Sequence, residues 1–267
     1  MSSSSGTTSV ASSPSSEAAR PAGGLDAVLV WLGHFVFRYR DYLAPLGVAL
    51  VVLLSAPRPF AAAGAAGWNA VGVLVALAGQ ALRVLVIGLA YIRRGGVNKR
   101  VAAARLVVDG VFAHSRNPLY VGNFLLLLGL MMIWNSPGGY VLVAVVGLAL
   151  FAMVRAEETF LLGKFGDEFA AYCARVPRFI PNFRGLRATM ARFAFDWKRV
   201  LRKEYGTTFS WTTTAVVMLA WERVAWQGLA AATPALVVLA AVWLALALLW
   251  ATVRWLKKQR RLVSPDY

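Results

Sequence analysis

The chain has 267 residues, 59% of them hydrophobic, and carries 28 Lys and Arg against 12 Asp and Glu, a formal net charge of +16. That apolar content excludes an ordinary soluble domain and marks an integral membrane protein. The basic excess reads as topological, because cytoplasmic loops retain Lys and Arg, and not as a nucleic-acid surface, because the aromatics lie inside or beside the apolar runs.

Residues 1–24 are rich in Ser, Ala, Gly and Pro and cannot bury enough apolar surface to fold alone, so a disordered tail is expected. No basic start leads into an apolar core there, so the segment does not read as a signal peptide. Leu25 to Phe37 is an apolar lead-in along the membrane surface. Tyr42 to Ala56 is the first expected span, ended by Pro57 and Pro59. Trp68 to Ile92 is the second. Leu119 to Trp134 and Tyr140 to Val154 form a tight helical hairpin around Asn135-Ser136-Pro137-Gly138-Gly139. Phe183, Leu186, Met190, Phe193, Trp197 and Leu201 recur at helical spacing among basic residues. This predicts an amphipathic helix on the inner leaflet, or one packed over the end of the bundle. Phe209 to Trp226 and Leu236 to Trp255 form a second hairpin around Pro234.

The resulting fold class is an all-α integral membrane protein of about six transmembrane helices. Its parts are the tail at 1–24, a four-span core at 25–181, the interfacial helix at 182–208 and a C-terminal hairpin with a basic tail at 209–267. Arg93, Arg94, Lys99, Arg100, Arg105 and Arg116 lie between spans two and three. A longer basic series from Arg155 to Lys203 lies between spans four and five, and Lys257, Lys258, Arg260 and Arg261 follow the last span. With six spans every basic cluster falls on one side, and both termini are cytoplasmic.

Polar residues bracket the first hairpin. Arg116-Asn117-Pro118-Leu119-Tyr120 opens span three and Arg155-Ala156-Glu157-Glu158 closes span four, so the short turn makes them spatial neighbours. Pro118 suits a first helical turn, whose free N–H groups can receive a carboxylate. Glu157 and Glu158 can accept from an ammonium or a ribose, so the corner can hold a zwitterionic amino-acid moiety. Solvated anchoring at a membrane surface is the other reading of the same residues.

Leu106-Val107, Gly110-Val111-Phe112, Arg116-Asn117-Pro118-Leu119-Tyr120, Glu157-Glu158, Phe165-Gly166, Phe169, Tyr172 and Val176-Pro177 to Pro181 follow one another in an order that resembles the isoprenylcysteine carboxyl methyltransferase and phospholipid methyltransferase superfamily. The resemblance implies a cytoplasmic-face pocket for S-adenosylmethionine and methyl transfer to a lipid or membrane-associated carboxylate, amine or thiol. It places Leu106, Val107, Phe112, Arg116, Asn117, Pro118, Tyr120, Glu157 and Glu158 at the cofactor. Asn117 stands where the family has histidine, and Phe112 where some members have tyrosine. The resemblance names no catalytic base.

Arg83 lies inside span two, where a charge is costly and faces the bundle interior. It is expected to pair with Glu157, Glu158 or an anionic ligand, or else to snorkel to the interface. Arg155 has the same two readings, and both are candidate substrate-binding residues. Glu222 and Arg223 read as outer-leaflet anchors, and Trp31, Trp68, Trp134, Trp211 and Trp255 as interface anchors. Cys173, the single cysteine, reads as a small buried residue. With His34 and His114 the only histidines, no metal site is expected. An NADPH-dependent membrane reductase, with Arg175, Arg178 and Arg184 on the 2′-phosphate, is one alternative. A non-enzymatic transporter or assembly protein is another, although no internal repeat supports it.

Overall fold

The computed structural model describes residues 24–58, 61–89 and 106–262, and the expected tail at residues 1–23 and the basic run from Arg93 to Arg105 lie outside them. The described residues form helices and connecting loops, with no strand among them: α1 (Gly24–Leu54), α2 (Ala61–Leu89), α3 (Pro118–Trp134), α4 (Pro137–Arg175), the short α5 (Leu186–Met190) and α6 (Trp197–Lys258). Three helical segments are long and apolar enough to cross a bilayer, namely Gly67–Leu89, Pro137–Arg175 and Trp197–Lys258, and Pro118–Trp134 is a shorter apolar helix.

Two close helix contacts set the frame. A Cβ added to Gly129 of α3 would stand 2.4 Å from the Gly72 carbonyl of α2 and 2.6 Å from the Ala76 nitrogen. One added to Gly33 of α1 would stand 2.2 Å from the Ala152 carbonyl of α4. Backbones this near need glycine, and small residues at such crossings drive helix packing in lipid. Around the first crossing Leu126, Leu127, Leu130, Met131, Ile133 and Trp134 of α3 form the main apolar core with Trp211, Ala215 and Met218 of α6.

Four expectations about elements change. The lead-in and first span are one helix, because the lead-in packs on α4 through Gly33 and does not stand apart on a surface. The fourth helix runs on past Val154 to Arg175, with a break at Gly166 (φ 50, ψ −125), so Glu157 and Glu158 lie within it. The interfacial helix at 182–208 is replaced by α5, a connecting segment, and the start of α6 capped by the Asp196 side chain on the Arg199 amide. Of its apolar residues Met190 packs inward, beside Phe195, on the cluster of Val86, Leu89 and Val111, whereas Phe183, Phe193, Trp197 and Leu201 stay exposed. The last hairpin turns at Gly228 (φ 75, ψ 162), not at Pro234, which sits inside helix. Only glycine adopts that backbone readily.

α6 therefore comprises two antiparallel arms. The first buries Glu204, Trp211, Ala215, Met218 and Glu222, a stripe at three-, four- and seven-residue spacing. Phe209 stacks on Trp250 of the second arm at 5.1 Å between ring centroids.

Candidate functional site

At one end of the bundle the loop before α3 meets the loop after α4. Gly110 (φ 62) turns the chain into a 3-10 segment, Gly110–Ala113, in a left-handed conformation that favours glycine. The next residues pair with the later strap: the Arg116 amide donates to the Pro177 carbonyl (2.9 Å), and the Asn182 amide donates to the His114 carbonyl (2.9 Å). Ser115 Oγ donates to the Phe179 carbonyl (3.0 Å) and Asn117 Nδ2 to the Arg178 carbonyl (3.1 Å). His114 Nδ1 lies 2.7 Å from the Asn182 carbonyl and Nε2 lies 3.0 Å from Thr189 Oγ1. A carbonyl can only accept, so Nδ1 carries the proton and the hydroxyl donates to Nε2. His114 is a buried brace, and Asn117 binds the strap in place of capping α3.

The two bracketing motifs meet as the short turn requires. Tyr120 Oη donates to Glu157 Oε1 at 2.7 Å. Arg116 Nη1 donates to Glu158 Oε1 at 2.7 Å and to Cys173 Sγ at 2.9 Å. Arg178 grips the same carboxylate with a fork, Nε to Oε1 at 3.1 Å and Nη2 to Oε2 at 2.7 Å. Glu158 is thus held by two guanidinium groups from two segments, whereas Tyr120 is the hydrogen-bond donor to Glu157 among the described residues. The Arg40 guanidinium of α1 comes within electrostatic reach of both Tyr120 and Glu157. Arg116 Nε is buried and has no hydrogen-bond partner among the described residues.

This donor and acceptor set suits a ligand with both signs of charge. A buried guanidinium N–H without a partner is a ready contact for a carboxylate, and a half-buried carboxylate with one donor has lone pairs left for an ammonium or a hydroxyl. Among the described residues no cluster of three metal-ligating side chains occurs.

Other expected site residues separate. Leu106 packs with Phe169, Tyr172 and Val176, while Phe112 packs with Val86, Leu89 and Val111. The Phe112 carbonyl accepts from Tyr172 Oη (2.8 Å), which ties those two clusters together. Val107 is half-buried beside them and Pro118 is buried at the first turn of α3.

Arg83 pairs with neither Glu157 nor Glu158. Its Nε and Nη2 each lie 2.8 Å from the two oxygens of Glu204 on α6, and its Nη1 donates to Asn123 Oδ1. Arg155 turns to Asp26 of α1 at 2.6 Å. Glu222 is not a solvated anchor: it is 2% exposed and accepts from Asn69 Nδ2 at 2.8 Å on both oxygens. Trp134 and Trp211 are buried, the latter donating to Gln80, so they are core residues and not interface anchors. Cys173 is half-buried and accepts from Arg116.

Neither Arg40 nor Arg178 is among the residues expected at the methyl-donor cofactor, Arg178 being expected only at a 2′-phosphate. Both sit at the carboxylate pair because α1 crosses α4 there and the strap folds back over it. The proximity of Arg178 to the matched Val176-Pro177 run was the one available signal.

Residues 68–168 match the phospholipid methyltransferase family. A protein-S-isoprenylcysteine O-methyltransferase of Schizosaccharomyces pombe is 35% identical over 85 residues, covering 32% of this chain and 36% of that protein. The rat protein of the same name is 30% identical over 122 residues, 45% of this chain and 43% of that protein. The cobalt-zinc-cadmium resistance protein CzcN of Cupriavidus metallidurans is 38% identical over 78 residues, 29% of this chain and 36% of that protein. The chain spans less than half the length of these curated relatives. No solved structure matches it.

Proposed function

We propose that the chain is a membrane methyltransferase using S-adenosylmethionine and acting on a lipid or membrane-associated acceptor, a reading supported by the match of residues 68–168 to the phospholipid methyltransferase family. The observation that carries this reading is the meeting of Arg116 and Tyr120 with Glu158 and Glu157 at one end of the α3–α4 hairpin. In this reading S-adenosylmethionine supplies an electrophilic methyl group on a sulfonium.

The chain's own residues bind, orient and shield. Arg116 Nε is the donor for the cofactor's carboxylate, and Glu157 takes its ammonium or ribose hydroxyls. Tyr120 and Arg40 hold Glu157 in place. Glu158 already accepts three hydrogen bonds from Arg116 and Arg178, so its main role is to aim Arg116. The strap from Val176 to Asn182 and the aromatic cluster of Phe169 and Tyr172 exclude water from the corner, a requirement for an in-line displacement. Leu106, Val107, Phe112, Asn117 and Pro118 complete the walls.

The reading includes six spans, with the two arms of α6 supplying the last two, the site on the cytoplasmic face and both termini on that side. Loop charge supports this orientation. A core at 25–181 then carries the chemistry and the hairpin at 209–267 braces it.

Calorimetry on the protein in detergent tests the cofactor. S-adenosylmethionine and S-adenosylhomocysteine should bind, and Glu157→Ala should weaken both at least about tenfold, since a hydrogen bond to a charged group is worth about 1.5–3 kcal/mol. Unchanged affinity in that variant would refute the site, and binding of NADPH alone would refute the activity.

A further inference from the structure

The run that opens α3 ends in Asn123, which the cofactor reading leaves without a role. Asn123 is the one amide or charged side chain between Pro118 and Trp134, and it is exposed. It lies three residues beyond Tyr120, about 4.5 Å further into the apolar layer along the helix. Its orientation is fixed chemically. A guanidinium can only donate, so the Asn123 oxygen must face Arg83 and its NH2 must face away. Among the described residues that NH2 donates to nothing.

Arg83 is itself held rigid. Both its other donors engage Glu204, whose Oε2 also lies 3.4 Å from Gln80 Nε2, and Gln80 in turn accepts from Trp211 Nε1 at 2.9 Å. Arg83, Glu204 and Gln80 are all buried. The Arg83 stem lies against Gly122, where an added Cβ would come within 2.6 Å of its Cγ. The network therefore runs from α6, outside the matched region, through α2 to a single donor on α3.

Resting on the methyltransferase reading, we propose that Asn123 is a specificity-determining residue that donates its amide NH2 to the polar head of the methyl acceptor, and that Glu204 is its positioning residue through Arg83. With its oxygen turned to Arg83 and its NH2 turned outward, Asn123 favours a head group that accepts hydrogen bonds, such as a lipid-borne carboxylate, over a bare ammonium, which only donates. An unmet amide in hydrocarbon is costly, so its exposure fits a site that a ligand completes.

The test uses the full chain in lipid nanodiscs, saturated with S-adenosylhomocysteine, with N-acetyl-S-farnesylcysteine as the carboxylate probe and a protonated long-chain alkylamine, whose head has no acceptor, as the amine comparison. The carboxylate should bind better than the amine. Asn123→Leu should weaken it at least tenfold while S-adenosylhomocysteine affinity stays within twofold of the parent. Glu204→Gln keeps the side chain's shape and should weaken the probe several-fold. In the Asn123→Leu background the same change should have no further effect, the mark of one residue acting through another. Parent-like probe binding by Asn123→Leu, no probe binding by the parent, or a preference for the amine overturns the proposal. An undiminished Glu204→Gln effect in the double variant overturns the positioning role. If the parent fails to bind S-adenosylhomocysteine at all, the methyltransferase reading falls and takes this proposal with it.

Discussion

The carboxylate of Glu158 does more structural than chemical service. Two guanidinium groups converge on it, and its side chain is 11% exposed against 13% for Arg116 and 29% for Arg178. Replacing it by alanine leaves two positive charges facing each other in a poorly hydrated corner. Breaking a largely buried pair in this way costs about 3–5 kcal/mol. Glu158→Ala should therefore lower the thermal midpoint markedly and abolish nucleoside binding, as calorimetry and unfolding scans would show. Arg178→Ala should be milder, about 1 kcal/mol, because that partner is more open to solvent. The adjacency of Arg116 and Glu158 was legible in the sequence, because a five-residue turn leaves two helices no choice but to return side by side. The identity of each pair was not. Glu157 and Glu158 are adjacent letters, and only the rotation of α4 decides that one meets Tyr120 and the other Arg116.

Among the elements, glycine contacts decide how near the helices come. Gly129→Ala should destabilise the protein by about 1–3 kcal/mol, since the new methyl would overlap the Gly72 carbonyl and little there can yield. Thermal unfolding in detergent would register it. Gly228→Ala should cost about 1–3 kcal/mol for a different reason: no neighbour is near, but the backbone at φ 75 and ψ 162 excludes a side chain. The position of this turn was hidden because proline breaks helices far more often than it sits inside one, as Pro234 does here. The failed interfacial helix teaches the same lesson. Apolar spacing from Phe183 to Leu201 was real, but Asp196 caps a new helix in its midst and Phe195 is drawn down against Gly88, where an added Cβ would meet its ring at 2.3 Å.

For the whole molecule, the two ends of the bundle are chemically unlike. The carboxylate pair, the strap and the start of α6 gather at one end. Ser55, Ser136, Trp134 and the Trp226 contact to the Pro57 carbonyl gather at the other. With Cys173 replaced by Ser, single cysteines at Gly138 and Gln227, both exposed, should label from one side of sealed vesicles, and one at Arg187 from the opposite side. Labelling of all three from one side would refute the six-span arrangement. The all-helical, apolar character of the chain was readable from composition along it. The partnership of Arg83 was not, because Glu204 lies 121 residues away and nothing local favours it over nearer carboxylates.

The two carboxylates on the first arm of α6 also constrain the order of assembly. Asn69 and Arg83 of α2 are made early, yet their acidic partners at Glu222 and Glu204 are made late. Until the first arm of α6 packs on α2, the Arg83 guanidinium lacks its carboxylate partner. Ribosomal synthesis thus reaches the carboxylate pair of α4 well before the polar scaffold behind it is complete. A chain stalled before residue 204 would hold the strap and the carboxylate pair yet lack the acidic partners of Asn69 and Arg83.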